Sequence, residues 1–384
     1  MKRTALLAPL AALALTLPGA AAASAAAPEV RVADAGADAL PGQYVVTLHE
    51  GADARGLARA LQVSPRHVYS SALDGFAAAL TDGQLKALQR NASVAAIEED
   101  RSVRADATQS ITTAGLHGLD RIDQRALPLS GGYTYGTGAA GVTAYVIDTG
   151  IDTSHPDFAG RARNVYDALG GDGRDCNGHG THVAGTIGGA THGVAKDVQL
   201  RGLRVLGCDG SGSTAGIVAA VDWVRANHVP SAVANLSLGG GYSAALNTAV
   251  SNLAAAGVAV AVAAGNESQD ACRVSPASAS GVVTVAASDR TDTRASFSNF
   301  GSCVETYAPG VAVTSTWLRG GTNTISGTSM ASPHVAGVMA LYKGRNGDAA
   351  SATVNSWIVS NGTANVVRSN PSGTPNRLLF KASL

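Results

Sequence analysis

The feature of this chain that most limits its fold is a series of apolar, β-prone runs that alternate with helical stretches. Such runs, when separated by helices, form a mostly parallel sheet covered by helices on both faces. In such a sheet, functional side chains collect at strand and helix ends along one edge. The pattern therefore predicts a doubly wound α/β domain whose strands include Thr143–Ile147, Gln199–Val205, Val233–Leu236, Val258–Ala263 and Val282–Ala286.

Three separated motifs place polar residues at such ends. Asp148 in YVIDTGI follows a strand-like run, and His179 in NGHGTHVAG precedes a helical stretch. Ser329 in GTSMASPHVAG is followed by Pro333, a residue suited to the first turn of a helix. We therefore expect His179 and Ser329 at helix N-termini, where the dipole favours developing negative charge. Taken singly, the three residues also suit structural roles as a turn former, a helix start and an N-cap.

Together, the three residue types predict a nucleophilic triad. A serine hydroxyl attacks poorly until an imidazole removes its proton, so His179 would be the base for Ser329. Asp148 would accept the other imidazole N–H and stabilise the imidazolium that forms. The chain order differs from that of α/β-hydrolases, and GTSMA lacks the final glycine of their G-x-S-x-G elbow. An esterase is therefore the weaker interpretation. A binding protein that only keeps the scaffold would be expected to lack a triad member, and none is missing.

These motifs resemble those of the subtilisin-like serine protease family, in particular its proteinase K and aqualysin branch. The resemblance covers nearly all of residues 107–384 and includes GLDRIDQR, SLGGG, AAGNES and RASFSNFGSC, in the family's order. It implies an endopeptidase that cleaves polypeptides through an acyl-enzyme on Ser329. Broad specificity is expected, with an apolar or aromatic residue before the cut, and no catalytic cofactor is expected.

The resemblance also implies an oxyanion hole and a substrate-binding cleft. Asn266 would donate its side-chain amide to the oxyanion, and Ser329 would donate its backbone N–H. Without the triad, a glycine–asparagine turn closing a strand would be the better explanation of Asn266. Glycine-rich stretches are likewise more often plain loops, but two of them resemble the family's edge strands, which pair with an extended peptide. They contain Gly210, Ser211 and Gly212, and Ser237, Leu238, Gly239 and Gly240.

The first residues predict export. Lys2 and Arg3 precede an apolar stretch from Ala5 to Leu17, and an alanine-rich segment with A-x-A sites follows. This is the composition of a secretory signal peptide, assigned to residues 1–26. A membrane anchor is the alternative, but the apolar stretch is shorter than the roughly 18 residues that a span requires. We therefore expect a secreted, extracellular protein.

Residues 27–106 are predicted to be a propeptide with a compact α+β unit at about 40–104. The predicted elements follow the β-α-β-β-α-β order of a ferredoxin-like plan. By resemblance this is the family's inhibitory propeptide, which assists folding, lays its tail Val103–Asp106 through the active site and is then removed before Ala107. The alternative is an independent domain that stays attached. The elements are strands at Tyr44–Leu48, near Val68–Leu80 and at Val94–Ile97, and helices at Asp53–Leu61 and, behind a Thr81 cap, Asp82–Gln89.

The four cysteines all lie within residues 107–384. Sequence alone allows three pairings, and export favours disulfides. A zinc site is the competing interpretation, but there is no C-x-x-C and the spacings are long. The resemblance implies the pairs Cys176–Cys208 and Cys272–Cys303, each contributing roughly 3–4 kcal/mol in the chain-entropy model.

Calcium is the one cofactor that the resemblance implies, and its role would be structural. One short segment supplies the oxygen ligands that hard cations take. Glu305, with carbonyls near Ser280 and Val282, is a second candidate, although the proteinase K relative has an aspartate there. Asp172 and Asp175, before His179, are a third. In each case the alternative is a solvated turn carboxylate. The first segment contains Asp120, Asp123, Gln124 and Ser130.

Composition limits the partners of the protein. A formal net charge of +0 argues against nucleic acid or an anionic membrane as a partner. A hydrophobic content of 45% with only 15% charged residues allows a large buried core. The expected partners are polypeptide substrates and the chain's own propeptide as an intramolecular inhibitor, and the peptidase is expected to be a monomer.

Overall fold

The computed structural model describes residues 29–35, 39–105, 109–110 and 116–384. At 102–105 and 109–110 the description covers the backbone alone. The predicted signal peptide and the predicted cleavage bond between 106 and 107 lie outside the described residues.

The N-terminal part of the chain forms a small α+β unit in the predicted ferredoxin-like order, preceded by one short strand. Its elements are β1 (Val32–Ala33), β2 (Ala39–Leu48), α1 (Ala54–Ala60), β3 (His67–Ser70), β4 (Asp74–Ala79), α2 (Asp82–Gln89) and β5 (Val94–Ala105). The longer strands form an antiparallel sheet in the order β5-β2-β4-β3. Both helices pack against its core residues Val46, Phe76 and Ile97.

Capping residues explain where the two helices of this unit begin. Asp53 accepts the N–H of Gly56 at the start of α1. Thr81, the predicted cap of α2, forms a reciprocal capping box with Gln84. β5 is longer than the predicted Val94–Ile97, because its second half pairs with strands outside this unit.

The rest of the described chain forms a larger α/β unit. Its helices are α3 (His117–Asp123), α4 (His179–Gly188), α5 (Thr214–Asn227), α6 (Ala244–Ala255), α7 (Thr328–Asn346) and α8 (Ser351–Asn361). Its strands are β6 (Gln109–Ser110), β7 (Thr143–Asp148), β8 (Ala162–Asp167), β9 (Gln199–Arg204), β10 (Ser211–Ser213), β11 (Ala232–Leu236), β12 (Leu238–Gly241), β13 (Ala259–Ala263), β14 (Val274–Ser275), β15 (Val283–Ser288), β16 (Thr306–Pro309), β17 (Val313–Thr316), β18 (Thr322–Ser326), β19 (Thr363–Ala364) and β20 (Arg377–Leu378).

A mostly parallel sheet forms the centre of this unit, with strand order β19-β20-β16-β15-β13-β11-β7-β9-β8. The pairings from β20 through to β8 are all parallel, and β19 is antiparallel to β20. The five strands expected from the sequence are all present, with ends shifted by at most two residues. Strands that are buried on both faces have continuous apolar sequences, which is why the sequence predicted these five.

Helices cover both faces of this sheet, which confirms the doubly wound architecture. On β7, Ala144 and Val146 belong to the apolar cluster that includes α4 and α7. Tyr145 and Ile147 belong to the cluster that includes α5 and α6. β8 and β9, which follow β7 in the chain, lie on one side of it in the sheet, and β11 lies on the other side. The carboxyl end of β7 therefore lies at the crevice where open α/β sheets place their sites.

Two disulfides and a short hairpin complete the unit. Cys176 is bonded to Cys208, joining the loop before α4 to the loop before β10, and Cys272 is bonded to Cys303. β17 and β18 form an antiparallel hairpin that leads into α7. In the part of the chain that the structure describes, no helix has the length and apolar composition of a membrane span.

Candidate active site

Asp148 is fully buried at the carboxyl end of β7. Its Oδ1 lies 2.7 Å from Nδ1 of His179 and also accepts the N–H of Thr149 at 2.7 Å. A buried carboxylate that accepts one imidazole N–H orients the ring and leaves Nε2 as its proton-accepting atom. The structure therefore places Asp148 and His179 in the relationship that a triad requires.

His179 is the first residue of α4, as expected from the sequence. Gly178 precedes it with a φ of 108°, a conformation that favours glycine. A Cβ on Gly178 would overlap the ring of Trp317. Asn177 accepts the N–H of His179 at 3.2 Å through its side-chain oxygen. The backbone before the imidazole is thus fixed by the packing of Gly178 against Trp317 and by the hydrogen bond to Asn177.

Ser329 is the second residue of α7 and is fully buried. Its Oγ donates to the C=O of Ser237 at 3.1 Å. Pro333 is the sixth residue of α7, so the expectation that it lies in the first turn was wrong. A proline there leaves the C=O of Ser329 without its helical N–H donor. The Ser237 hydroxyl supplies one at 2.8 Å.

Asn266 follows β13 and faces the start of α7. Its Oδ1 accepts the N–H of Thr328 at 2.9 Å and the Thr328 hydroxyl at 3.1 Å. The Thr328 hydroxyl oxygen also accepts the N–H of Gly265 at 3.0 Å. Because the amide oxygen is held by the residue next to Ser329, the NH₂ group is the end of the amide that can serve an oxyanion.

Strand β5 of the N-terminal unit continues between β10 and β12 and pairs with both in antiparallel register. This is the arrangement by which an extended peptide adds to edge strands. Four of the seven predicted substrate-binding residues take part in it. The opposed positions are Ser211 with Arg104, Gly212 with Val103, Leu238 with Ala105 and Gly239 with Arg104.

The other predicted binding residues flank this pairing. Gly210 lies in the turn before β10, and Ser237 joins β11 to β12. Gly240 pairs with Ser275 of β14 and not with the N-terminal unit. Beside β12 lies a cavity of about 240 Å³, whose walls are Gly239–Gly241, Gly265, Glu267, Gln269 and Val274.

The structure brings together most of the first candidate calcium set. Ser130 donates its N–H to Asp120 at 3.1 Å and to Gln124 at 2.8 Å, and its hydroxyl to Asp120 at 3.0 Å. Asp123 is directed elsewhere, because its carboxylate lies 2.8 Å from Nζ of Lys381. Asp120, Gln124 and Ser130 therefore offer converging oxygens, whereas Asp123 already has a cationic partner.

The carboxylate of Glu305, the second calcium candidate, lies in a different environment. Glu305 is largely buried, and burial raises its pKa to about 7. Its Oε2 accepts the N–H of Thr284 at 2.6 Å. A buried carboxylate of this kind would be held ionised by a cation. Among the described residues, no group of three or more His, Cys, Asp or Glu has the spacing of a metal site.

Asp175 is a residue of the site whose role sequence reasoning missed. It is buried, and its carboxylate accepts from Thr149 and Thr181 side chains and from backbone N–H groups at the start of α4. Thr149 follows Asp148, and Thr181 lies in the first turn of the helix that carries His179. Asp175 thus ties the two halves of the Asp148–His179 pair together, which excludes it as a solvated turn carboxylate.

The sequence analysis also did not predict the role of two carboxylates of the N-terminal unit. Asp100 accepts the N–H of Ala215 at 3.0 Å, in the first turn of α5. Glu98 accepts the hydroxyl of Ser243, the N-cap of α6. Both lie at the positive ends of helix dipoles. The only signal available in the sequence was a pair of acidic residues spaced on one face of a strand.

The fold and the site together define a serine hydrolase of the doubly wound α/β class, with a strand of its own N-terminal unit in the cleft. Comparison with known proteins gives the family. Residues 139–378 match the subtilase family, and residues 47–106 match the peptidase inhibitor I9 family.

Individual relatives agree with these matches. An extracellular serine proteinase of Thermus sp. (strain Rt41A) is 49% identical over 372 residues, covering 89% of this chain and 90% of that protein. The alkaline serine protease ver112 of Corniculantispora psalliotae is 46% identical over 383 residues, covering 97% and 98%. The crystal structure of a cold-adapted subtilisin-like serine proteinase has a TM-score of 0.68 and 50% identity, over 70% of this chain and 98% of that one.

The chain therefore belongs to the subtilase family and carries an I9 inhibitor domain ahead of its protease domain. It is a subtilisin-like serine protease, and the resemblance stated from its motifs is confirmed.

Proposed function

We propose that the chain is the precursor of a secreted serine endopeptidase whose catalytic residues are Asp148, His179 and Ser329. The observation that carries this proposal is the seating of β5 between β10 and β12. This strand lies where an extended substrate would, and it ends beside Ser237, whose carbonyl accepts the Ser329 hydroxyl.

In this mechanism, Ser329 Oγ attacks the carbonyl carbon of the scissile peptide while Nε2 of His179 takes its proton. Asp148 stays ionised and stabilises the imidazolium through Nδ1. When the tetrahedral intermediate collapses, His179 passes the proton to the leaving amine and the C–N bond breaks. A water molecule, deprotonated by His179, then attacks the ester on Ser329. When this second intermediate collapses, His179 returns the proton to Ser329 Oγ, which restores the serine hydroxyl and releases the carboxylic acid.

The oxyanion of each tetrahedral intermediate would be bound by the Asn266 side chain and by the backbone N–H of Ser329. The orientation of the Asn266 amide by Thr328 supports the first donor. The N-terminus of α7 supports the second, since the helix dipole favours negative charge there. Removing one such donor from a related enzyme costs about 10²–10³ in kcat.

Substrate would bind as an additional antiparallel strand between β10 and β12. This pairing forms hydrogen bonds with the main chain of the peptide and does not depend on its side chains, which supports broad specificity. The cavity beside β12 would receive the side chain before the cut. Its glycine walls and Val274 suit an apolar or aromatic side chain.

The I9 domain would inhibit the enzyme by occupying this strand position. We assign residues 1–26 to a signal peptide, 27–106 to the propeptide and 107–384 to the peptidase. Pairing with β12 ends at Ala105, one residue before the proposed bond at 106–107. The Thermus relative, which is named as an extracellular enzyme, supports export. We further propose that the mature peptidase acts as a monomer.

Calcium would stabilise the fold without taking part in catalysis. Asp120, Gln124 and Ser130 would hold one ion, because their oxygens already converge. Glu305 would hold a second, since a cation would offset the burial of its carboxylate. Bound Ca²⁺ would supply charge neutralisation and cross-linking of loops.

The intact mass of the secreted wild-type and Ser329→Ala proteins tests this function. The wild type should have the mass of residues 107–384, and Ser329→Ala should retain the propeptide and should not cleave casein. Ser332→Ala is the matched control, because it removes a buried hydroxyl from the same helix α7. Processing and casein cleavage by Ser329→Ala at the wild-type rate would overturn the proposal.

A further inference from the structure

Asn299 is fully buried in the loop between β15 and β16, and its four side-chain hydrogen bonds all go to one short segment. Its Nδ2 donates to the C=O of Ala264 at 2.8 Å and to the Glu267 carboxylate at 2.9 Å. Its Oδ1 accepts the N–H groups of Glu267 at 3.1 Å and of Gln269 at 2.9 Å. A side-chain amide has two N–H donors and two acceptor lone pairs. These four bonds therefore use its full capacity.

The partner segment, residues 264–269, is here called the oxyanion segment because it contains Asn266. The N–H of Asn299 also donates to the C=O of Gly265 at 2.9 Å. Gly265 has a φ of 98°, and a Cβ on it would overlap Nδ2 of Asn299. The asparagine thus packs directly against the backbone on both sides of Asn266, at a distance that only glycine allows.

Asn266 is consequently held in two ways. Thr328 fixes the orientation of its side-chain amide. Asn299 fixes the backbone from which that side chain projects. We propose that Asn299 is a positioning residue for the oxyanion donor, acting on catalysis only through Asn266. This inference rests on the proposed role of Asn266.

An oxyanion donor works only when its N–H lies within about 2.7–3.1 Å of the position that the oxyanion takes. A misplacement of about 1 Å in such a group can cost about 10²-fold in rate. Removing the Asn299 side chain would leave the C=O of Ala264 and the N–H groups of Glu267 and Gln269 without their partner. The oxyanion segment would relax toward other donors and acceptors, and Asn266 would move with it.

The oxyanion segment also forms part of the cavity beside β12, through Gly265, Glu267 and Gln269. Loss of Asn299 is therefore expected to alter KM as well as kcat. The two effects have different routes. The effect on kcat requires the Asn266 amide, whereas the effect on KM requires only the cavity wall.

A double-mutant cycle separates these routes. The four proteins are the wild type, Asn266→Ala, Asn299→Ala and the double variant. Precursors are processed with resin-bound wild-type enzyme so that slow self-cleavage does not limit the yield. Measurement of kcat and KM uses a peptide p-nitroanilide with phenylalanine before the scissile bond. Asn299→Ala alone should lower kcat by about 10- to 100-fold. In the Asn266→Ala background it should lower kcat by less than about threefold, with its effect on KM retained.

Asn376 provides the matched control. Its side-chain amide bonds both the N–H and the C=O of Val367, at 2.9 and 2.8 Å, in the C-terminal part of the fold. Asn376→Ala should change kcat by the same factor in the wild-type and Asn266→Ala backgrounds. If the kcat losses from Asn299→Ala and Asn266→Ala simply multiply, the positioning role is overturned. If Asn266→Ala itself leaves kcat unchanged, the proposed oxyanion hole fails first.

A second variant keeps the inference testable if Asn299→Ala does not fold. Asn299→Asp keeps both acceptor bonds but places a carboxylate against that of Glu267. It should lower kcat, and the added substitution Glu267→Gln should partly restore it, because an amide N–H replaces the repulsion. No recovery of kcat in that double variant would overturn the inference.

Discussion

Ser237 and Ser329 exchange a pair of hydrogen bonds. The Ser329 hydroxyl donates to the Ser237 carbonyl at 3.1 Å, and the Ser237 hydroxyl donates to the Ser329 carbonyl at 2.8 Å. The second bond replaces the helical bond that Pro333 cannot make. These two hydrogen bonds therefore hold Ser329, the proposed nucleophile, against Ser237, the residue directly before the substrate-binding strand β12.

Substitution of Ser237 by alanine should weaken this junction. The variant loses the donor to the Ser329 carbonyl and the acceptor for the Asn235 amide, which lies 2.9 Å from the Ser237 hydroxyl. Leaving such buried groups unsatisfied costs about 1–3 kcal/mol each. The melting temperature should fall, as measured by calorimetry on the Ser329→Ala background, where self-digestion does not interfere. An unchanged melting temperature would show that other hydrogen-bond partners satisfy these groups.

Gly178→Ala should disturb the start of α4. A side chain there must adopt a φ of 108° and overlaps the Trp317 ring. We expect a loss of kcat of at least about tenfold, because His179 is displaced from Ser329. Trp317→Ala in the same background should recover part of that loss by relieving the overlap. Steady-state kinetics on a peptide substrate measure both effects, and wild-type kcat in Gly178→Ala would contradict the expectation.

The propeptide should bind more weakly as pH rises. Burial raises the pKa values of both Glu98 and Asp100 in the complex. After release, the pKa values of both groups return to the ordinary carboxyl value of about 4. The complex therefore holds more protons than its separated parts, so this contribution to affinity is complete below that range and is lost as pH rises through the raised values.

Titration calorimetry of the propeptide against the Ser329→Ala protein, first freed of its own propeptide by resin-bound wild-type enzyme, measures this dependence. The double variant Glu98→Gln, Asp100→Asn should have a shallower slope of affinity against pH than the wild type. Asp82→Asn, on the first turn of α2, is the control that should leave the slope unchanged. Equal slopes for the double variant and the wild type would exclude these carboxylates as its source.

Calcium should stabilise the protein through Asp120 more than through Asp123. The side chains of Asp120 and Gln124 both accept the N–H of Ser130, whereas Asp123 is paired with Lys381. Asp120→Asn should therefore reduce the rise in melting temperature on addition of Ca²⁺, and Asp123→Asn should leave most of it. A magnesium control shows whether the effect is specific to calcium. If addition of Ca²⁺ raises the melting temperature of Asp120→Asn as much as that of the wild type, the ion binds at another site.

The elements that the sequence predicted best are those whose signal is local. The strand at Thr143–Ile147 and its neighbours are continuous apolar runs, and the Thr81 cap lies directly before the helix that it starts. The order of the three polar motifs was sufficient to anticipate that Asp148 and His179 meet. Pro333 was misplaced because a proline pattern cannot show that a distant hydroxyl will satisfy the freed carbonyl.

The residues that sequence reasoning missed act over long separations. Asn299 binds a segment some thirty residues earlier, and Asp100 caps a helix that starts after residue 213. Neither residue belongs to a repeating sequence pattern, since each contact depends on how distant segments of the chain meet in three dimensions. The same reason explains the length of β5, whose last residues find their partners only across the boundary between the two units.

β5 is shared between two structures, because it is a strand of the inhibitor sheet and also the strand that fills the cleft. Any cut that unfolds the small N-terminal sheet therefore also empties the cleft. Each liberated enzyme can make such a cut in its neighbours, so activation of a population should begin slowly and then accelerate with the amount of free enzyme. The time course should be sigmoidal, with a lag that shortens when a trace of active enzyme is added.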